Sequence, residues 1–141
     1  MNKWRSAGYP GVTPTTSRLL AYWNHNDRDK KLFFCQIEAL ETAIYLVEAA
    51  SKQGDEWLDN RLREANELMN PGLPRIAFKM ATGTGKTVVM AMIIAWQTLN
   101  KLANPQNPRY TDSFLVVTPG ITIRDRLRVL KPEREDNFYQ K

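Results

Sequence analysis

Between residues 32 and 51, apolar side chains recur at Phe33, Ile37, Leu40, Ile44 and Val47, in alternating steps of four and three. That spacing places them on one face of a helix. Glu38, Glu41 and Glu48 fall off the stripe. A second helix is expected from Asp55, as N-cap, to about Met69, with Leu58, Leu62, Ala65 and Met69 as its stripe. Asn70, Pro71 and Gly72 stop it, because proline cannot continue the hydrogen-bond ladder. The pattern then changes. A short apolar run over 75–79 reads as a strand, 86–100 as a buried helix, and 113–118, holding Phe114, Leu115, Val116 and Val117, as a second buried strand. Strand, helix and strand in this order predict a βαβ unit with a right-handed crossover and parallel strands. The loop 102–112 separates helix from second strand, Pro119 and Gly120 turn the chain, and a short helix over 121–130 ends before Pro132. The charged tail 131–141 is expected to fray. At the other end, 1–17 shows no periodicity and reads as a flexible leader, 18–23 as a short helix or strand, and 24–31 as a polar loop.

The junction between the first strand and the buried helix is Met80-Ala81-Thr82-Gly83-Thr84-Gly85-Lys86-Thr87. A strand, a glycine-rich turn, Lys-Thr and a helix form the arrangement that holds a nucleoside triphosphate. Glycines let successive backbone N–H groups point at phosphate oxygens. The helix start adds unpaired N–H groups and the positive dipole end. Lys86 is placed to reach the β and γ phosphates of the nucleotide, and Thr87 to offer its hydroxyl to Mg²⁺. The general pattern G-x-x-x-x-G-K-[ST] has a glycine where Met80 stands.

The chain has 141 residues, 43% apolar and 25% charged, a globular balance. Its net charge of +5 is uneven. Residues 1–31 carry +4, residues 32–70 carry −5 and residues 71–141 carry +6. The basic ends could face a polyanion, and the acidic middle reads as a solvated helical face. Cys35 is the sole cysteine, which excludes an internal disulfide and fits a reducing, cytoplasmic compartment. Among Phe33, Phe34 and Ile37 it reads as a buried structural thiol rather than a nucleophile. His25, the sole histidine, reads as surface, with no companions for a metal site. Residues 1–20 hold no signal-peptide pattern, and the longest apolar run, 88–96, is too short to span a bilayer.

The form Ala-Thr-Gly-Thr-Gly-Lys-Thr resembles motif I of superfamily-2 helicases and DNA translocases, which often lack the first glycine. Upstream, Phe33-Phe34-Cys35-Gln36-Ile37-Glu38-Ala39 looks like the Q-motif region of those enzymes. A glutamine amide can both donate and accept, matching the adjacent N6 donor and N7 acceptor of adenine. Gln36 is therefore the candidate for adenine selection; the other reading is an ordinary polar residue at a helix start. Downstream, Val117-Thr118-Pro119-Gly120-Ile121-Thr122-Ile123-Arg124-Asp125-Arg126-Leu127 resembles motif Ia, which touches the nucleic-acid backbone. Thr118, Pro119, Gly120 and Arg124 are the groups such a contact would use. Arg124, Arg126 and Arg128 also fit a plain solvated helix face.

Together these segments resemble the helicase-like subunit of type III restriction enzymes. The resemblance implies an α/β fold, a partial P-loop NTPase (RecA-like) domain with parallel strands and flanking helices over 71–141. A helical segment with a Q-motif-like start precedes it over 32–70, after a flexible basic leader over 1–31. It further implies ATP and Mg²⁺, held by Gln36, Thr82, Gly83, Thr84, Gly85, Lys86 and Thr87, with Lys86 and Thr87 catalytic. The implied partners are double-stranded DNA and a modification (methyltransferase) subunit, with no membrane. Type I restriction motors and excision-repair helicases share the loop. No apolar strand ending in Asp-Glu follows it, and the family's second motor domain and nuclease domain have no counterpart. The expectation is an N-terminal piece of a longer translocase that binds nucleotide but hardly hydrolyses it. The alternatives are a non-catalytic binding module and, less well matched, a small P-loop kinase.

Overall fold

The stretch that lacks periodicity forms helices. In the computed structural model, which describes residues 1–25, 30–73 and 75–140, α1 is Asn2–Ser6 and α2 is Pro14–Trp23. Residues 26–29 of the expected 24–31 loop, and residue 141 of the charged tail, lie outside the described residues. Thr13 starts α2 by accepting a hydrogen bond from the Thr16 N–H at 3.1 Å, and Pro14, with its φ preset, takes the first helical position. One face of α2 buries Thr16, Leu20 and Trp23, which resolves 18–23 as helix. The chain divides into two units, Met1–Ala81 and Thr82–Lys141.

In the first unit, α3 is Phe34–Ile44, continued by a π-helical turn at Tyr45–Ala49 and a 3₁₀ turn at Ser51–Gln53. α4 is Glu56–Met69. The stripe expected along 32–51 is buried at Leu40 and Ile44, while Phe33 lies exposed and Cys35 is only half-buried. The acidic middle is not a solvated face throughout. Glu41 and Glu48 are fully buried. Arg5 of α1 donates to Glu41 at 3.0 and 2.6 Å and pairs with Glu38 as well. Glu48 accepts from the Thr13 N–H at 2.7 Å and the Thr16 hydroxyl at 2.6 Å, so a carboxylate sits at the positive end of α2. A buried charge needs compensation: Glu41 has the Arg5 guanidinium, and Glu48 has two hydrogen bonds at the helix end. Asp55 precedes α4 but does not cap it; its carboxylate accepts from the Tyr45 hydroxyl and from Trp57 Nε1.

Tyr9 adopts φ 60°, in the left-handed region, and is fixed by the edge of Trp4 at 5.0 Å and by donating to Glu41 at 2.8 Å. Burial first, and the bond to Glu41 second, push its hydroxyl up from 10.0 to about 12. The raised folded value favours the neutral phenol. Its contribution is therefore complete below pH 10 and is lost as pH rises through about 12. Tyr9→Phe should cost about 1 kcal/mol at pH 8. The gap to the parent protein should narrow above pH 10 in urea melts at stepped pH. A gap that stays constant would remove Tyr9 from this linkage.

The second unit is built on α5, Lys86–Ala103, the expected core helix. Val89, Met92, Trp96 and Asn100 make its buried face. Tyr110 meets Trp96 edge-on at 6.2 Å, a contact worth about 0.5–1.5 kcal/mol beyond area burial. α6, Ile121–Arg126, runs into a 3₁₀ turn at Leu127–Leu130, and a last 3₁₀ turn spans Phe138–Gln140; both turns pack on α5. The Tyr139 hydroxyl donates to the Leu130 carbonyl at 3.1 Å.

The expected parallel strands do not form. Among the described residues 75–79 and 113–118 contain no strand, so the α/β, RecA-like arrangement is replaced by helices and turns. Their apolar side chains are not buried either: Leu115 is 89% and Val117 82% exposed, and Ile76 and Phe78 are exposed too. A strand exists only through a ladder with a neighbour, and an isolated pair is marginal in water. The two segments belong to different units. Apolar pattern alone could not supply the missing neighbours.

Candidate functional site

The loop Thr82–Thr87 lies wholly in the second unit. Gly83 has φ 81° and Gly85 φ 74°, both left-handed, where a side chain is strained. A Cβ on Gly83 would meet nothing within 4 Å, so that glycine serves conformation rather than space. Gly85 is the N-cap of α5 and has no side chain with which to cap it. Its carbonyl accepts from the Val88 N–H at 2.9 Å and the Val89 N–H at 3.3 Å. A left-handed residue running into a right-handed helix aligns successive N–H groups as an anion-binding concavity. Lys86, the first helical residue, is exposed, and Thr87 is half-buried behind it. A glycine turn, an uncapped helix start and an exposed ammonium fit a polyphosphate. For Mg²⁺ the chain offers the Thr87 hydroxyl. Among the described residues no group of three or more His, Cys, Asp or Glu could hold a metal ion. Magnesium commonly takes its remaining ligands from water and substrate phosphates.

Gln36 belongs to the first unit and is buried, 4% exposed. Its side-chain oxygen accepts from the Phe33 N–H at 2.9 Å, the return half of a capping box. Phe33 has no polar side chain to complete the exchange. The glutamine therefore secures the start of α3.

Thr118 donates to the Gly120 carbonyl at 3.3 Å, and Gly120 is the extended N-cap of the short α6. Arg124 and Arg128 both face Asp125, at 3.5 and 3.0 Å. These ion pairs are solvent-exposed and hold the arginines weakly. Thr118 and Gly120 thus meet at the start of α6, with Pro119 between them exposed, while Arg124 stands in the last turn of that helix. The Arg5–Glu41 pairing and the buried Glu48 carry no local sequence signal, because their partners lie more than thirty residues away.

A family model described as "Type III restriction enzyme, res subunit" matches residues 29–140. The matched span includes Gln36, the Thr82–Thr87 loop and Thr118 to Arg124. No curated protein and no solved structure matches the chain. Among the described residues no helix is long and apolar enough to cross a membrane.

Proposed function

Because this chain belongs to the family of type III restriction enzyme res subunits, we propose that Thr82–Thr87 binds ATP with Mg²⁺ and serves ATP-dependent movement on double-stranded DNA. The setting proposed is restriction beside a modification (methyltransferase) subunit, in the cytoplasm. The observation that carries the reading is the left-handed pair Gly83 and Gly85, opening into the uncapped start of α5 with Lys86 exposed. The N–H groups of the loop hold phosphate oxygens, and Thr82 and Thr84 shape the turn. Lys86 places its ammonium on the β and γ phosphates and Thr87 lends its hydroxyl to the metal. When bound, Mg²⁺ neutralises charge on the phosphates. Thr118, Pro119, Gly120 and Arg124 take a phosphate of the DNA backbone, a contact that weakens steeply with salt.

Binding without efficient turnover is the expected behaviour of this chain. Thr87 offers one metal ligand, and no apolar strand ending in Asp-Glu follows the loop in the sequence. An arginine placed on the transition-state charge contributes roughly a thousandfold or more in rate. Steady-state phosphate release by the purified chain, with and without duplex DNA, should stay near that of Lys86→Ala. DNA-stimulated turnover of about one per second or faster, absent in that variant, would show that the chain is itself a complete motor.

Gln36 is proposed to favour adenine, and its capping bond makes the test specific. Gln36→Glu keeps an acceptor for the Phe33 N–H and removes the amide donors that adenine N7 would need. Thermal stability should hold while any preference for ATP over GTP is lost. If the parent protein has no preference, or the variant retains it, Gln36 only secures α3.

A further inference from the structure

α1, α3 with its π-helical turn, and the start of α4 wall a cavity of about 580 Å³ in the first unit. That size lies within the range of small-molecule sites. Its apolar lining comes from Trp4, Leu46 and Leu58 and from Tyr45, whose ring Trp4 meets edge-on at 5.1 Å. Trp4 is held in place by donating from Nε1 to the Pro10 carbonyl at 2.9 Å. Tyr45 and Leu46 belong to the π-helical turn Tyr45–Ala49, a rare geometry that recurs at functional sites.

Two charged residues, Lys3 and Asp55, share this wall. The Asp55 carboxylate accepts from two neutral donors, the Tyr45 hydroxyl and Trp57 Nε1 at 3.2 Å, and no cation pairs with it among the described residues. Lys3 makes no side-chain hydrogen bond or ion pair among them either. One apolar cavity therefore carries a positive and a negative group that pair neither with each other nor with a counter-charge. That combination decides among ligands. A bare anion would meet Lys3 but face Asp55, and an organic cation would meet Asp55 but face Lys3. An uncharged apolar molecule would strip water from both charges and pair neither. A zwitterion with an apolar body satisfies both and fills the cavity. Lys3 is exposed, and its flexible four-carbon stem lets the ammonium follow a ligand's carboxylate.

We propose that this cavity binds a free α-amino acid with a large apolar side chain. The ligand's ammonium pairs with Asp55, its carboxylate with Lys3, and its side chain lies against Trp4, Tyr45, Leu46 and Leu58. The site lies wholly in the first unit and does not rest on the nucleotide reading.

The test is calorimetry on the full chain with three probes: L-phenylalanine, N-acetyl-phenylalanine, which lacks the ammonium, and phenethylamine, which lacks the carboxylate. Phenylalanine should bind about tenfold more tightly than either analogue, since each loses one charge-assisted contact. Lys3→Met should erase the advantage over phenethylamine and keep the advantage over N-acetyl-phenylalanine. Asp55→Asn should do the reverse; it removes the charge and keeps one acceptor for the Tyr45 and Trp57 donors. No binding of phenylalanine at millimolar concentration, or binding no tighter than that of both analogues, would overturn the proposal. So would preferences that survive unchanged in both variants, or a loss of affinity in both variants that the three probes share equally.

Discussion

Arg5→Ala should destabilise the first unit by about 3 kcal/mol, read as a lowered urea midpoint in the fluorescence of Trp4 and Trp23. The reason is Glu41, whose side chain is completely buried and whose charge is met by the Arg5 guanidinium at 2.6 Å. Removing the guanidinium leaves that carboxylate with the Tyr9 hydroxyl at 2.8 Å but without a compensating charge. A buried charge that loses its partner costs far more than the pair contributes. Arg5→Lys should fall between, because an ammonium keeps the charge and loses the fork that bonds Glu41 and Glu38 together. Arg5→Met with Glu41→Leu should recover much of the loss, since both halves of the buried pair then become apolar. If Arg5→Ala costs less than about 0.5 kcal/mol, α1 is not held by this network.

Lys86→Ala should weaken MgATP binding by at least tenfold, whereas Lys101→Ala, near the far end of α5, should change it little. Lys101 donates to the Pro105 carbonyl at 2.7 Å and stands four turns from the loop. Lys86 is the first residue of the uncapped helix, directly after Gly85. Charge-assisted bonds to phosphate are roughly twice as strong as neutral ones, so the loss should exceed that of any single backbone donor. The two variants carry the same change in net charge, which removes long-range attraction as an explanation. Equal affinities, by calorimetry, would disconnect Lys86 from the phosphates.

What the sequence made legible here is what is local. α4, α5 and α6 begin and end close to where period and punctuation place them, because a 3.6-residue stripe and a proline act within a few residues. The left-handed turns of Gly83 and Gly85 are likewise a property of the loop's own composition. The strands expected at 75–79 and 113–118 do not form, because an apolar run says only that a segment prefers burial. Pairing depends on neighbours that the pattern does not identify. α1 escaped notice for a related reason. Its five residues have no stripe, and it is held by Arg5 reaching Glu41 across 36 positions and by Trp4 buried among other residues. Glu41 and Glu48 looked solvated because carboxylates usually are; only the tertiary partners reveal why two of them are inside. The Gln36 amide is legible from composition alone, but the engagement of its acceptor with the Phe33 N–H is not.

The most direct test of the phosphate-loop reading is a titration of the ¹⁵N-labelled chain with MgATP, following each backbone amide by NMR. Saturable shifts should be largest at Thr82 to Thr87 and in the first turn of α5. They should be reproduced by triphosphate alone at higher concentration, be absent with adenosine, and need at least tenfold more MgATP in Lys86→Ala. Saturable shifts concentrated elsewhere, or none at Thr82 to Thr87 at millimolar MgATP, would contradict the account.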